Sequence, residues 1–208
     1  MSDTHPLIDL ESTSLTQSQQ LFVCLAAHTA KGDLDALAQD WLCLPQEQHE
    51  AGLEVILQTH LFAGYPRTIN ALGVIRKLGC SLNTSTDASH EQWRADGEHL
   101  CSQIYAGAYD KLRDAISALH VDLERWMIET GYGRVLSRPG LSPMEREFGV
   151  LAVLGGQNVK PQLMSHLRGA LHVGATMDAL KAVLKLVGEI WGEDALTESM
   201  KVFQKLKA

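Results

Sequence analysis

Cysteines are few in this chain of 208 residues, and no two of the four stand close together in the sequence. Cys24, Cys43, Cys80 and Cys101 form no C-x-x-C motif, so the sequence carries neither the thiol pair of a dithiol oxidoreductase nor the ligand pairs of a local zinc site. Cys24 lies in an apolar run and is interpreted as a small core residue. Dithiol chemistry would require cysteines that folding brings together.

Basic charge and long apolar runs are also scarce. The net charge is −7 and lysines and arginines do not cluster, which argues against nucleic-acid or anionic-lipid partners. Residues 1–10 contain no basic stretch followed by an apolar one, and no apolar run is long enough to span a membrane. With 45% hydrophobic and 21% charged residues, we expect a cytoplasmic globular protein without membrane contact.

The nine histidines do not form a local metal-binding motif. Neither H-x-x-x-H nor H-E-x-x-H occurs, and His166 and His172 would leave one helix in separate directions. His49 and His60 would lie about three turns apart, too far to bind one ion together. We therefore expect no metal, although ligands assembled from distant segments would leave no local signature and stay open as an alternative.

Helical periodicity dominates the sequence, and strand alternation is almost absent. Prolines at 45, 66, 143 and 161 indicate helix starts, and glycines at 32, 79, 131, 174 and 192 indicate helix ends. We predict an all-α fold. The predicted helices cover residues 16–31, 33–42, 46–63, 66–78, 89–105, 109–119, 122–130, 143–155, 161–173, 177–190 and 193–207.

The two ends of the chain look alike. Leu15-Thr16 followed by residues 20–26 aligns without gaps with Leu141-Ser142 followed by residues 146–152, and Gly64 matches Gly192 after small gaps. This similarity predicts two weakly similar helical repeats. They span residues 1–80 and 141–208, with connecting helices in 81–140 and a polar linker at 81–88, and the three segments can still form one compact domain. Chance similarity between amphipathic helices is the alternative.

Two polar residues fall on helix faces that should be apolar. The sequence Ser142-Pro143-Met144-Glu145 is a capping box with proline at the first helical position, which fixes a register that places Glu147 on the core-facing stripe. His166 lies on the apolar stripe of the next helix. Because an ionised carboxylate is costly to bury unless something pairs with it, the two predict a proton-handling pair. A structural role for either residue is the alternative, with Glu147 serving the helix dipole and His166 bonding to a carbonyl.

His60 is a third polar residue predicted to point inward. It shares a helical face with Leu53, Ile56 and Leu57. If the two halves pack as a pseudo-symmetric pair, His60, Tyr65 and Arg67 would complete a substrate pocket with the second half. The alternative is that His60 only packs.

Several motifs resemble those of the carboxymuconolactone decarboxylase family, which is related to alkyl hydroperoxidase D. In the second half these are Gly133 to Leu141, Arg146-Glu147 and His166 to Leu171 with Gly174. The family's C-terminal signature, a helix ending in an aromatic residue and a Gly-x-Pro turn, lacks its proline after Trp191-Gly192. The first half supplies that signature in residues 54–58, 62–67 and 70–72, so each half keeps a different part of the pattern.

The resemblance implies an alkyl hydroperoxidase D-like fold, a homo-oligomer and one of two activities. The peroxidase branch uses a C-x-x-C pair, whose positions are occupied here by Val159 and Gln162, so a peroxidase is disfavoured.

The decarboxylase branch acts without a cofactor on a small carboxylated lactone or organic acid. There the resemblance implies that Arg146 anchors the substrate anion, that His166 transfers the proton and that Glu147 tunes His166. Arg146 as a solvated helix residue is the alternative to its role. A non-catalytic helical protein that binds a small molecule or a partner is the alternative to an enzyme.

Overall fold

The computed structural model describes residues 14–81 and 88–206, so most of the predicted linker at 81–88 lies outside the described residues. All regular secondary structure within the described residues is helical, which confirms the all-α prediction. The helices are α1 (Gln17–Lys31), α2 (Leu34–Cys43), α3 (His49–Gln58), α4 (His60–Ala63), α5 (Tyr65–Lys77), α6 (His90–Tyr105), α7 (Tyr109–Leu119), α8 (Val121–Trp126), a π-helix (Met127–Leu136), α9 (Pro143–Gly156), α10 (Lys160–His172), α11 (Met177–Trp191) and α12 (Glu193–Leu206), with 3₁₀ turns at Gln46–Gln48 and Ala106–Ala108.

Side-chain caps define where the two central helices begin. The Thr16 hydroxyl accepts from the Gln19 backbone N–H at the start of α1, and the Gln19 side chain accepts from the Thr16 N–H in return. Ser142 and Glu145 repeat this capping box at the start of α9, where Pro143 takes the first turn as predicted. At the other end of α1, Gly32 adopts φ 80°, a left-handed conformation that favours glycine and ends the helix.

The main hydrophobic core combines residues from both ends of the chain. Helix α1 is buried on every side and packs against α2, α9 and α11. Gly149 of α9 makes room for the Gln58 side chain of α3, because an added Cβ would lie 2.6 Å from Gln58 Nε2. The predicted terminal segments 1–80 and 141–208 therefore share one core, while the repeat itself stays a prediction.

A smaller core joins α6 to the π-helix, where one sequence prediction was wrong. The helix predicted to end at residue 130 continues through Gly131 to Leu136. Packing overrides the helix-ending tendency of glycine here, because the two backbones approach so closely that only glycine fits. A Cβ added to Gly97 would overlap the Ile128 carbonyl oxygen, and one added to Gly133 would overlap the Trp93 carbonyl oxygen.

Helices α7 and α8 form an outer layer, in which α8 packs on the π-helix and α7 packs on α8 and α6. Within the described chain, neither helix contains a buried residue, and Leu119, Val121 and Trp126 are exposed. Across residues 14–81 and 88–206, no helix is both long and apolar enough to cross a membrane.

Candidate functional site

Glu147 and His166 form a buried pair between α9 and α10. The His166 Nδ1 lies 2.9 Å from Glu147 Oε2, and the two residues are 5% and 1% exposed. The helices can approach because Gly169 follows His166 by almost one turn of α10; a Cβ there would lie 2.5 Å from Ile104 Cγ2 and 3.3 Å from Glu147 Oε2. The contact between two polar residues on apolar stripes is the arrangement that the sequence predicted.

The Glu147 carboxylate determines which nitrogen of His166 can meet a ligand. A carboxylate accepts hydrogen bonds, so Nδ1 carries a proton and donates to Oε2. Nε2 is then the atom that gains or loses a proton, and it makes no hydrogen bond within the described residues. The pair has the geometry of a general acid–base whose ring is oriented by a carboxylate.

His166 lies in the wall of a cavity of about 610 Å³. The cavity is bounded by side chains from α4, α6, α7, α8, the π-helix and α10, and most of them are apolar. No lysine or arginine occurs among the described residues that line it. The lining comprises Leu61, Phe62, Tyr105, Leu112, Ile116, Leu123, Trp126, Met127, Thr130, Gly131, Tyr132, Leu136, Gln162, Ser165 and His166. Its size suits a small organic molecule.

Two tyrosines that sequence reasoning missed stand beside His166 in this cavity. The Tyr132 hydroxyl donates to the Tyr105 hydroxyl at 3.3 Å, and the Tyr105 ring centroid lies 6.4 Å from that of His166. Burial raises the pKa of Tyr105 to about 12 and the pKa of Tyr132 well above its ordinary value, so both phenols stay protonated at neutral pH. No local motif singles them out, since aromatic residues at helical spacing are ordinarily core residues.

Arg146 is not placed with the cavity. Its guanidinium donates to Glu54 Oε2 at 3.1 Å, to Gln58 Oε1 at 3.0 Å and to the Arg138 carbonyl at 2.6 Å. Burial lowers the pKa of Arg146, and the Glu54 carboxylate opposes that shift. Consecutive helical residues point about 100° apart, so Arg146 faces this buried cluster while Glu147 faces His166.

The first-half residues predicted to bind substrate do not line the cavity either. His60 Nδ1 lies 2.6 Å from the Leu57 carbonyl oxygen, and its ring stacks at 5.0 Å on Tyr65, which is 67% exposed. The Arg67 guanidinium lies over Gly32 at the end of α1. Helix α4 does reach the cavity, but through Leu61 and Phe62 and not through His60.

The described residues offer little support for a metal site or a reactive thiol. Among residues 14–81 and 88–206, no group of three or more His, Cys, Asp or Glu side chains is arranged to hold an ion. The four cysteines are free thiols. Burial raises the pKa of Cys24 and brings that of Cys101 to about 12, so neither is a reactive thiolate at neutral pH.

The comparisons with known proteins give two relatives and no family. No family model matches the sequence. A protein named Peroxisomal protein 2 from Schizosaccharomyces pombe is 27% identical over 143 residues, which cover 66% of this chain and 67% of that protein. A Saccharomyces cerevisiae protein of the same name is 26% identical over 160 residues, which cover 62% of this chain and 56% of that protein. Because both relatives are named as peroxisomal, the expectation of a cytoplasmic protein was wrong.

Proposed function

We propose that this chain is a cofactor-independent, carboxymuconolactone decarboxylase-like enzyme that acts on a small lactone or organic acid. The observation that supports this most strongly is the position of His166, which lines an apolar cavity while Glu147 holds its Nδ1. Such a site combines a proton carrier, a fixed ring orientation and partial exclusion of water, which together serve proton transfer to and from carbon.

Decarboxylation in this cavity would use His166 in its protonated form. As the substrate's carbon–carboxylate bond breaks, carbon dioxide leaves and the electron pair delocalises into the lactone. The Nε2–H of His166 then gives its proton to carbon, and water restores the proton afterwards. Glu147 stabilises the imidazolium before transfer and keeps the ring in place throughout.

In this proposal His166, and not Arg146, is the cation that binds the substrate carboxylate. Arg146 is already bound to Glu54 and Gln58, whereas the described cavity lining contains no lysine or arginine. A protonated His166 is thus the group that can meet a negative charge there.

Two other functions remain as alternatives. Non-catalytic binding of a small apolar molecule is favoured by the mainly apolar lining of the 610 Å³ cavity. Peroxidase activity is the weaker one, because the buried Cys24 and Cys101 have raised pKa values and the sequence lacks a C-x-x-C pair.

The first experiment is a turnover assay on the purified protein with carboxymuconolactone, alongside peroxide consumption in the presence of dithiothreitol. His166→Ala and Glu147→Gln are compared with His28→Ala. His28 is a matched control, since it is also a buried histidine, with its Nδ1 2.5 Å from Asp40 Oδ2, but it does not line the cavity. Loss of a general acid–base is expected to slow turnover about 10²–10⁴-fold.

The outcomes separate the three functions. The enzyme proposal is supported if His166→Ala and Glu147→Gln abolish lactone turnover while His28→Ala preserves it. The melting temperatures of the two site variants must be unchanged. Full activity in both site variants would refute the proposed roles. Lactone binding without turnover would favour the binding protein, and peroxide consumption would show that distant cysteines act together.

We also propose that the chain resides in peroxisomes and forms a homo-oligomer. The location is supported by the names of the two relatives, and the oligomer by the family resemblance alone. Immunofluorescence of the untagged chain against a peroxisomal membrane marker tests the first, and a diffuse signal would contradict it. Sedimentation velocity tests the second, and a monomer at micromolar concentration would contradict it.

A further inference from the structure

The two tyrosine hydroxyls form a short hydrogen-bonded chain on the cavity wall. Tyr132 comes from the π-helix and is 4% exposed, whereas Tyr105, at the end of α6, is half-buried. The Tyr132 hydroxyl donates to the Tyr105 oxygen at 3.3 Å. Both residues line the cavity that contains His166. The chain of donors therefore runs from the deeper phenol towards the more exposed one.

The Tyr105 O–H has no protein acceptor within residues 14–81 and 88–206. A phenol has one proton to donate, and Tyr105 uses its oxygen to accept the bond from Tyr132. Its own proton therefore remains available on the wall of a cavity whose other polar groups are few. A hydroxyl that already accepts a hydrogen bond becomes a stronger donor, because successive bonds polarise each other.

We propose that Tyr105, supported by Tyr132, donates a hydrogen bond to the carbonyl oxygen of a substrate whose neighbouring carbon faces His166. This inference rests on the proposed proton-transfer function. It assigns the substrate to carbonyl compounds that react through an enolate, namely lactones, esters or ketones. The carbonyl oxygen and the reacting carbon of such compounds are two bonds apart, and the adjacent rings of Tyr105 and His166 offer one polar group to each.

The electron movement explains why a donor is needed beside the proton carrier. When His166 Nε2 removes a proton from carbon, the C–H bond pair forms the enolate double bond and the carbonyl π pair moves to oxygen. The oxygen thus gains negative charge, which the Tyr105 O–H stabilises. Reprotonation reverses each step. Tyr105 remains a neutral donor because burial raises its pKa to about 12, and apolar surroundings strengthen the bond.

The test measures α-proton exchange of γ-butyrolactone and cyclohexanone in D₂O by proton NMR, which needs no knowledge of the natural substrate. Removing one oxyanion donor typically slows a reaction about 10²–10³-fold, so Tyr105→Phe is expected to slow exchange at least tenfold. Tyr132→Phe should slow it less, since it only weakens Tyr105. Tyr109→Phe is the matched control, because Tyr109 bonds to Arg113 and does not line the cavity.

A second measurement addresses the oxygen site without catalysis. 4-Nitrophenol carries an oxygen that resembles an enolate when ionised, and its absorbance reports the ionised fraction. The wild-type protein and Tyr109→Phe should bind the phenolate at least ten times more tightly than Tyr105→Phe does. Equal binding by Tyr105→Phe would overturn the inference.

The two proposals fail in different ways. Exchange that His166→Ala abolishes but Tyr105→Phe leaves unchanged would overturn the oxyanion site and keep the proposed function. If the wild-type protein shows no exchange, the phenolate titration alone decides the oxyanion site, and the lactone turnover assay decides the proposed function. Melting temperatures of Tyr105→Phe and Tyr132→Phe that equal that of the wild-type protein exclude unfolding as the cause of a loss.

Discussion

Replacing Glu54 by glutamine should destabilise the protein strongly, although the change removes no volume. Glu54 accepts from Arg138 Nε at 3.0 and 2.9 Å, from Arg138 Nη2 at 2.8 Å and from Arg146 Nη2 at 3.1 Å. The side chains of Glu54, Arg138 and Arg146 are only 9%, 12% and 3% exposed. The carboxylate thus compensates two guanidinium groups that have little access to water.

The size of the effect follows from removing the buried carboxylate that compensates these two guanidinium groups. Removing one member of a buried ion pair typically costs about 3–5 kcal/mol. The amide oxygen of glutamine still accepts one hydrogen bond, so we expect the lower end, about 3 kcal/mol. For a chain of this length each kcal/mol lowers Tm by about 2–4 °C, which corresponds to a decrease of about 6–12 °C.

Urea unfolding followed by circular dichroism, together with thermal melts, measures this loss. Glu198→Gln is the matched control, because Glu198 also accepts from two cations, Lys160 and Lys201, but at the surface, where such pairs contribute little. Comparable losses in Glu54→Gln and Glu198→Gln would refute the reasoning from burial. Arg146→Met should also be measured in the wild-type protein and in Glu54→Gln. If it lowers the free energy of unfolding equally in both, the two residues are not coupled.

Two further predictions concern Tyr105 and the packing of the π-helix. Burial raises the folded-state pKa of Tyr105 from 10.0 to about 12, so folding favours the protonated phenol. The contribution of this phenol to the free energy of unfolding is complete below pH 10 and is lost as the pH rises to 12. In urea unfolding, Tyr105→Phe should therefore lose less stability between pH 9 and pH 11 than the wild-type protein does. An equal loss in the two proteins would contradict this. Gly133→Ala should lower Tm and increase backbone hydrogen exchange in the π-helix, because its Cβ would overlap the Trp93 carbonyl oxygen, and wild-type stability would contradict this close packing.

Most helices could be predicted because their signals are local. Capping residues such as Thr16 and Ser142 and the left-handed Gly32 act within one helical turn, so they are visible in the sequence. The extension past Gly131 could not be predicted, since it depends on α6 covering the glycine-rich segment. A glycine that ends a helix and one that allows close packing look the same in a sequence.

The predicted pairing of Glu147 with His166 also followed from a local rule, because a polar residue on an apolar stripe requires a partner. The predicted position of Arg146 beside the substrate did not follow from its neighbour, since adjacent helical residues face different surroundings. His60 was predicted to complete the pocket, but Leu61 and Phe62 are the residues of its short helix that line the cavity. The spacing of residues along a helix gives the direction in which a side chain leaves the helix. It does not give the residues that the side chain meets in that direction.

The sequence by itself determined the all-α class, most helix boundaries and the inward direction of Glu147 and His166, because helix capping and amphipathic periodicity act over a few residues. Only the tertiary structure decided that Tyr105 and Tyr132 stand beside His166, and that Arg146 binds Glu54. Those contacts join residues that are far apart in the chain. They depend on how helices cross, which is set by the fit of whole helix surfaces and leaves no short motif.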